Sequence, residues 1–325
     1  MSVIDYKNKI DGALRRNAAG QPPKSSRPGS RRVHTKASKK TMRELVSSWL
    51  FLSPSLIGVA AFFVIPFCVV VFYSVVNNPI QKIFVGFDNY VRVWNNSAFK
   101  LAAGNTLKFS LVSVPLAVAL SLFLAVVMES RIPFKSQFRT FFLSPMMVPI
   151  ASIVLIWQVM FHYNGIVNEI GQALGAVKID WLKSGDAQIV IVLLFLWKNL
   201  GYNMILFMAA LSSVPKELIE VSRLESASEW QIFWRIKMRY LSSTILFVAI
   251  MSLINSFKVF REIYLMTGDY PYDSLYMLQH FMNNTFQSMD YQKLSSAAVI
   301  MSLVIVVLML VMFVTEDRYG RDIEG

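Results

Sequence analysis

The chain has 325 residues, of which 55% are hydrophobic and 16% charged, with a mean hydropathy of +0.48 and a formal net charge of +12. A soluble domain carries a larger charged share, and the apolar residues here gather in blocks long enough to cross a bilayer core of about 30 Å. The single cysteine, Cys68, excludes a disulfide framework and a thiolate metal site.

Residues 1–45 are predicted to form a basic, disordered cytoplasmic tail. They hold twelve of the 32 lysines and arginines, and the stretch Gln21–Arg32 is too polar to bury a core. We interpret these charges as signals for membrane orientation that also attract anionic membrane lipid. No aromatic or motif context supports a nucleic-acid role, so the sequence predicts no nucleic-acid partner.

Six apolar blocks follow within residues 46–315. Only helices or closed barrels can span lipid, and these blocks lack the alternating polarity of barrel strands. The sequence therefore predicts an all-α polytopic membrane protein with about six transmembrane helices. The blocks are Trp49–Val76, Leu101–Met128, Phe138–Phe161, Ile189–Ser213, Leu241–Phe260 and Leu294–Thr315.

The distribution of cations predicts the orientation of these helices. With the N-terminus inside, the cytoplasmic segments carry 22 of the 32 lysines and arginines, as the positive-inside rule requires. Both termini, including the tail 316–325, are then cytoplasmic. The segments predicted to lie outside are Asn77–Lys100, His162–Gln188 and Arg261–Lys293.

The fourth and fifth blocks contain polar residues that predict a path for a substrate. Polar side chains are costly in lipid and are functional candidates by default. Asn199 and Asn203 are four residues apart, so they share one helix face. Helix packing is the simpler explanation for Trp197 and Tyr202, and Lys198 could instead snorkel or pair with a carboxylate of a partner subunit. The candidates are Trp197, Lys198, Asn199, Tyr202, Asn203 and Asn255.

The loop 214–240 has the pattern of a helical hairpin. Ser213 is predicted to cap a first helix beginning near Pro215, and Ser228 with Gln231 forms a capping box for a second helix. The second helix carries a dense apolar load that suits docking of a partner protein or, equally, burial in lipid headgroups. This load consists of Trp230, Ile232, Phe233, Trp234 and Ile236.

The same loop resembles the coupling loop of binding-protein-dependent transport-system permeases, the membrane subunits of bacterial ABC importers. Glu220–Val221–Ser222 lies on the family's E-A-A and Glu225–Ser226–Ala227 on its D-G-A, whereas Ser226 replaces a glycine and Arg239 a proline. A positive φ at Ser226 would cost about 1 kcal/mol. The resemblance assigns ATPase coupling to Glu217, Glu220, Ser222, Glu225, Ser226, Ala227, Trp230 and Phe233.

Further segments resemble the maltose-type carbohydrate branch of this family, and most of residues 49–313 is covered. Each segment is weak evidence, but their order and spacing together are specific. The segments are Phe51–Leu56, Gly86–Tyr90, Asn105–Leu107, Arg139–Pro145, Trp157–Asn168 and Thr267–Pro271, the last of which lacks two glycines of the branch's T-G-G-G-P turn.

The resemblance implies a multi-pass permease of the bacterial cytoplasmic (inner) membrane. Its expected partners are a second permease subunit, two cytoplasmic ATPase subunits and an extracytoplasmic solute-binding protein. The chain would then be no enzyme and bind no cofactor, with ATP and Mg²⁺ on the ATPases; it contains no G-x-x-x-x-G-K-[ST] motif. A stand-alone secondary transporter or channel is the main alternative, and a membrane scaffold is a third.

The charge of the substrate is a further expectation. Lys198 in the polar stripe, with Lys258 and Arg261 near the outer mouth, would attract anions. The carbohydrate branch includes importers of acidic polysaccharide fragments such as alginate. We therefore expect an oligosaccharide or acidic polysaccharide fragment rather than a small neutral sugar, although headgroup contact also explains Lys258 and Arg261.

Overall fold

The structure is a computed structural model that describes the backbone of residues 37–130 and 133–320 and the side chains of residues 46–130 and 133–316. The chain divides into two compact units, Met1–Phe62 and Phe63–Gly325. Within the described residues helices dominate, and the extended backbone is limited to an isolated bridge between Val76 and Phe84. The all-α prediction is confirmed.

Helix α1 (Ala37–Val59) is the main element of the first unit. It begins inside the segment 1–45, so the prediction of a disordered tail is wrong from Ala37 onward. The reason is that Lys, Met, Arg, Glu and Leu in this stretch are good helix formers. The rest of the predicted tail lies outside the described residues. The helix continues into a π-helical segment, Ala60–Val64.

The second unit is a helical bundle with short helices at both ends of the long ones. In chain order its helices are α2 (Ile65–Ser74), α3 (Asp88–Asn95), α4 (Ser97–Glu129), α5 (Lys135–Met147), α6 (Ile150–Met160), α7 (Ile166–Ala173), α8 (Ala187–Ser212), α9 (Lys216–Leu224), α10 (Glu229–Ile232), α11 (Met238–Tyr240), α12 (Ser242–Phe257), α13 (Phe260–Thr267), α14 (Leu278–Gln287) and α15 (Tyr291–Gly320). A π-helical segment, Phe233–Lys237, joins α10 to α11, and Asp273–Leu275 forms one 3₁₀ turn.

Five of the described helical stretches are long and apolar enough to cross a membrane, and a bent pair raises the total to six. They correspond to the six apolar blocks in order, so the prediction of about six spans is confirmed. The five stretches are Val46–Ser74, Ser97–Glu129, Ala187–Ser212, Ser242–Thr267 and Tyr291–Glu316.

The third block is not one straight helix, as its length suggested. Helices α5 and α6 are bent by 100° where they meet. Val148 is extended, with ψ 134°, because the ring of Pro149 disfavours helical backbone in the preceding residue. Pro149 itself has ψ 136°. Helix α5 packs closely on α8, where a Cβ on Gly201 would overlap the carbonyl oxygen of Phe142. Glycine is thus required for this close approach.

The two ends of the bundle carry different connections. At one end, Asn105 Nδ2 donates to the Tyr276 carbonyl at 3.0 Å and Gln188 Nε2 donates to the Ser274 carbonyl at 2.8 Å. These bonds gather the segments predicted to lie outside. At the other end, Lys237 Nζ lies 2.7 Å from Glu129 Oε2 and fastens the hairpin to the end of α4.

The fifth span is longer than its apolar block. The apolar block ends at Phe260, but after a turn at Lys258 and Val259 the chain continues as helix α13 to Thr267. Ile263 and Met266 are buried on the face that packs on α6. The predicted outer segment Arg261–Lys293 is therefore wrong at its start, since residues 261–267 belong to the span.

Candidate functional site

A cavity of about 390 Å³ opens between the corner of α5 and α6 and the facing sides of α8, α12 and α13. It contains amide, hydroxyl and charged groups among apolar side chains, as binding sites for small polar ligands do. Its lining is Met146, Ile150, Leu194, Phe195, Lys198, Asn199, Tyr202, Met251, Asn255, Lys258, Val259, Arg261 and Glu262.

The structure brings four of the six predicted path residues to this cavity, namely Lys198, Asn199, Tyr202 and Asn255. Trp197 lies outside its lining and packs on Trp157, with 6.1 Å between ring centroids.

Asn203 is the other predicted path residue outside the lining. It is 2% exposed, and its Nδ2 donates to Ser252 Oγ at 3.1 Å. Asn203 thus joins α8 to α12 outside the cavity lining, on the helix face that it shares with Asn199.

Two asparagines form a hydrogen bond with each other at the wall of the cavity. Asn255 Nδ2 donates to Asn199 Oδ1 at 3.0 Å, and Asn199 Nδ2 donates to the Phe195 carbonyl at 2.8 Å. Both amide orientations follow from this chain of bonds. No described residue donates to the amide oxygen of Asn255, which remains an acceptor in a wall that also contains the Tyr202 hydroxyl and the Lys198 ammonium as donors.

Lys198 forms an ion pair with Glu262, a residue that sequence reasoning missed. Glu262 is 6% exposed, and its second oxygen, Oε2, has no hydrogen-bond partner among the described residues. The partner of Lys198 therefore comes from α13 of the same chain, not from a partner subunit as one alternative had it. The signal that could have revealed Glu262 is the apolar run Ile263–Met266, which continues the fifth block past its charges.

Lys258 and Arg261 border the same cavity at the junction between α12 and α13. Lys258 is the C-cap of α12, and the Arg261 amide donates to the Lys258 carbonyl at 3.3 Å. Both side chains are exposed, and within the described residues neither forms an ion pair.

The first helix of the hairpin, α9, ends in a Schellman motif. Ser226 has φ 63°, its amide donates to the Arg223 carbonyl at 3.0 Å, and the Ala227 amide donates to the Ser222 carbonyl at 2.9 Å. This motif places its C′ residue in the left-handed region, which favours glycine. Ser226 therefore occupies the position that demands a positive φ, which explains why the related pattern has glycine there.

The second helix of the hairpin starts as the sequence predicts. Ser228 Oγ accepts from the Gln231 amide at 3.3 Å, and Gln231 Oε1 accepts from the Ser228 amide at 2.9 Å, so the capping box is confirmed. The predicted cap at Ser213 is wrong. Its Oγ donates to the Ala210 carbonyl at 2.7 Å because Ser213 still closes α8. Pro215, with ψ 126°, is the N-cap of α9 and carries no side-chain cap.

The hairpin presents an apolar surface to its surroundings. Trp230 is 70% exposed and Leu224 85%, while Ile232 on the opposite side is 1% exposed and fastens the helix to the bundle. Trp230 and Trp234 contact each other edge-on at 5.5 Å. A loop that only returned the chain to the membrane would not need such a surface.

The eight residues assigned to coupling lie along both helices and the turn between them. Glu217 is in the first turn of α9, where an acid suits the helix dipole. The three acids are exposed, as are Ser226 and Trp230, and the remaining three residues are half-buried; in chain order these eight are Glu217, Glu220, Ser222, Glu225, Ser226, Ala227, Trp230 and Phe233.

An exposed ion pair spans the turn of the hairpin. Arg223 Nη2 lies 2.8 Å from Glu229 Oε1. The hydrogen bond from Arg223 lowers the pKa of the Glu229 carboxyl, and the same contact raises the pKa of Arg223. Pairs this exposed add little stability, so the contact orients the two helices more than it stabilises them.

A larger cavity, about 670 Å³, lies at the base of the hairpin between α12 and α15. Arg239, which stands where the related pattern has proline, lines it together with Trp234 and Glu316. Arg239 continues the helical run Glu229–Tyr240, whereas a proline there would remove a backbone donor.

One buried histidine lies at the far end of the bundle from the hairpin. His280 is 0% exposed, and its Nδ1 accepts from the Met277 amide at 3.2 Å. The Phe260 ring stands edge-on at 4.6 Å. Burial lowers the pKa of His280 to about 4, so the imidazole is neutral in the folded protein.

Comparison with known proteins places these features in a family. Residues 117–324 match the family described as "Binding-protein-dependent transport system inner membrane component". The chain is 29% identical to the trehalose/maltose transport system permease of Thermococcus litoralis over 88% of this chain and 98% of that protein. It is 27% identical to the lactose transport system permease of Rhizobium radiobacter over 82% of this chain and 93% of that one.

A solved structure has a similar fold. One chain of a bacterial ABC transporter involved in the import of the acidic polysaccharide alginate aligns with a TM-score of 0.73 and 19% identity. The alignment covers 90% of this chain and 100% of that chain. At this identity the likeness concerns the fold alone.

Proposed function

Because this chain belongs to the family of binding-protein-dependent transport system inner membrane components, we propose that it is one permease subunit of an ATP-driven sugar importer. It forms half of the translocation path. A second permease subunit supplies the other half, two cytoplasmic ATPase subunits bind ATP and Mg²⁺, and an extracytoplasmic solute-binding protein delivers the sugar. The chain itself is not the enzyme.

The observation that carries this proposal is the exposed apolar surface of the hairpin. Trp230, 70% exposed, stands on a helix that Ile232 anchors to the bundle, so a partner could push the hairpin without detaching it. The ion pair between Lys237 and Glu129 links the hairpin base to α4. Movement of a docked ATPase would therefore reach the long helices around the cavity.

The cavity supports the sugar part of the proposal. Lys198 and Tyr202 can donate hydrogen bonds and Asn255 can accept them, which matches the mixed donors and acceptors of sugar hydroxyls. The relatives named for trehalose/maltose and for lactose point to the same chemical class. We expect an oligosaccharide or an acidic polysaccharide fragment. A stand-alone carrier or channel would leave the hairpin without a partner.

Reconstitution in vesicles tests the proposal. The chain is assembled with a second permease subunit, ATPase subunits and a binding protein from the same organism, and uptake is measured with a panel of labelled maltotriose, lactose and alginate oligosaccharides. We expect uptake that requires ATP and every component. Uptake by this chain alone, without ATP, would establish the stand-alone carrier instead. Omitting one component at a time is the internal control.

A further inference from the structure

The residues that line the cavity carry a net positive charge. Three cations and one carboxylate line it, namely Lys198, Lys258, Arg261 and Glu262, which leaves a net charge of +2. Glu262 is bound to Lys198, and an ion pair at contact distance has little field at longer range. The excess positive charge therefore comes from Lys258 and Arg261.

These two cations lie in an unusual place for unpaired charges. Both fall within the candidate membrane span Ser242–Thr267, where a charge is costly unless it faces water or an opposite charge. Lys258 and Arg261 meet this requirement by bordering the cavity at the break between α12 and α13. Since no acid among the described residues pairs with them, the opposite charge comes from outside this chain: from a substrate, a lipid headgroup, the second permease subunit or ions in solution.

We propose that Lys258 and Arg261 are the charge-selecting residues of this permease and bind an anionic group of the substrate, the carboxylate of a uronic acid sugar. Arginine can hold a carboxylate through two parallel hydrogen bonds, and lysine adds a mobile point charge. Lys198 is not the selecting cation, because Glu262 already cancels it. The inference rests on the proposed permease function and specifies the class of sugar.

Thiol labelling measures the charge of this cavity directly. The only cysteine of the chain is Cys68, so the Cys68→Ser variant is cysteine-free, and Met251→Cys then places one thiol in the cavity wall. The full-length chain in neutral detergent is labelled with an anionic sulfonate methanethiosulfonate and with a cationic trimethylammonium one. The ratio of the two rates is normalised to the ratio for a small free thiol, N-acetylcysteine, in the same detergent solution.

The normalised ratio should favour the anionic reagent. Lys258→Gln and Arg261→Gln should each lower it by a factor of roughly 3 to 10, as removal of one nearby charge at partial screening predicts. Glu262→Gln should raise the ratio, because it frees the charge of Lys198. The matched control Lys293→Gln removes a lysine whose Nζ lies 5.3 Å over the Phe281 ring, away from the cavity, and should leave the ratio unchanged. A ratio near one, or no response to Lys258→Gln and Arg261→Gln, overturns the proposal.

Protection of the same thiol identifies the source of the anionic group. We expect trigalacturonate to slow labelling at Met251→Cys more than maltotriose does, with the difference lost in the Lys258→Gln/Arg261→Gln double variant. Equal protection by both sugars, protection by neither, or protection only by short-chain phosphatidylglycerol contradicts the assignment to a sugar carboxylate. Labelling needs no ATP, so these outcomes are independent of the transport assay that tests the proposed function.

Discussion

Replacing Lys198 or Glu262 alone should have unequal effects on stability. Lys198→Met leaves Glu262 without its partner, and that side chain is 6% exposed with Oε2 already unpaired among the described residues. Glu262→Met leaves Lys198, whose side chain is 31% exposed and can turn into the water of the cavity. The variant with the orphaned carboxylate is therefore expected to be the less stable of the two.

The magnitude follows from the burial of each group. Breaking a buried pair by removing one partner costs about 3–5 kcal/mol when the other charge cannot reach water, which applies to Lys198→Met. Glu262→Met should cost about 1 kcal/mol, because the exposed ammonium rehydrates. The double variant replaces the pair with two apolar side chains of similar length, a change that is often nearly neutral. The coupling between the two positions, the sum of the single losses less the loss in the double variant, is therefore about 4–6 kcal/mol.

Thermal unfolding of the purified chain in detergent measures this cycle. At about 2–4 °C per kcal/mol, Lys198→Met should lower the Tm by roughly 10 °C and the double variant should recover most of that loss. A Lys198→Met variant as stable as the parent would refute the reasoning, as would a double variant whose loss equals the sum of the single losses. Because Lys198→Met is destabilising in itself, a fall in uptake in that variant does not isolate a role in the substrate path.

Three further expectations follow from the structure. Ser226→Gly should stabilise the end of α9 by about 1 kcal/mol, because glycine removes the strain of φ 63°. The amide hydrogen of Ala227 should then exchange more slowly, and an unchanged exchange rate contradicts the prediction. The pKa of His280 is about 4 in the folded protein against 6.5 in the unfolded chain, so the unfolded chain takes up a proton first as the pH falls. Up to about 3 kcal/mol of stability is therefore lost as the pH falls from 6.5 towards 4. A flat Tm profile of the parent over this range, or an unchanged profile in His280→Gln, contradicts this. A reporter active only outside the membrane and fused after Thr315 should be silent, and activity there would contradict cytoplasmic termini.

The sequence predicts the spans well because their signal is local. An apolar run of membrane length needs no knowledge of its neighbours, and each of the six blocks has a helical counterpart in the structure. The 100° bend between α5 and α6 was missed although Pro149 marks its place, since prolines inside membrane helices are often tolerated without a break. Whether a proline bends a span depends on how the helices on either side of it pack, and here α5 packs closely on α8 at Gly201.

The start of the second helix of the hairpin could be predicted from the sequence, but the N-cap of the first helix could not. The capping box of Ser228 and Gln231 is a reciprocal local contact within four residues. Ser213 can serve either as an N-cap of the next helix or as a residue of the last turn of α8, and only the length of α8 decides between these roles. The cavity shows the same limit. Lys198 was recognised as an intramembrane charge, but its partner Glu262 lies on another helix, 64 residues further along.

The coupling role of the hairpin is the central claim, and copurification of the ATPase subunits tests it most directly. Glu220→Lys places the wrong charge on α9, and Trp230→Ala with Phe233→Ala removes the aromatic surface, which commonly costs about 2–4 kcal/mol at an interface. The matched control is Trp94→Ala, which removes a tryptophan that is 63% exposed on α3, outside the hairpin.

Each hairpin variant should insert normally and lose the ATPase, or lose substrate-stimulated ATP hydrolysis in vesicles, whereas the Trp94→Ala variant keeps both. A loss of 2–4 kcal/mol corresponds to binding weaker by a factor of roughly 30 to 1000, which is readily measured by titration of the ATPase. If Glu220→Lys and the aromatic double variant both retain the ATPase and hydrolyse ATP at the parental rate, the hairpin is not the coupling element and its exposed tryptophans lie in lipid headgroups instead.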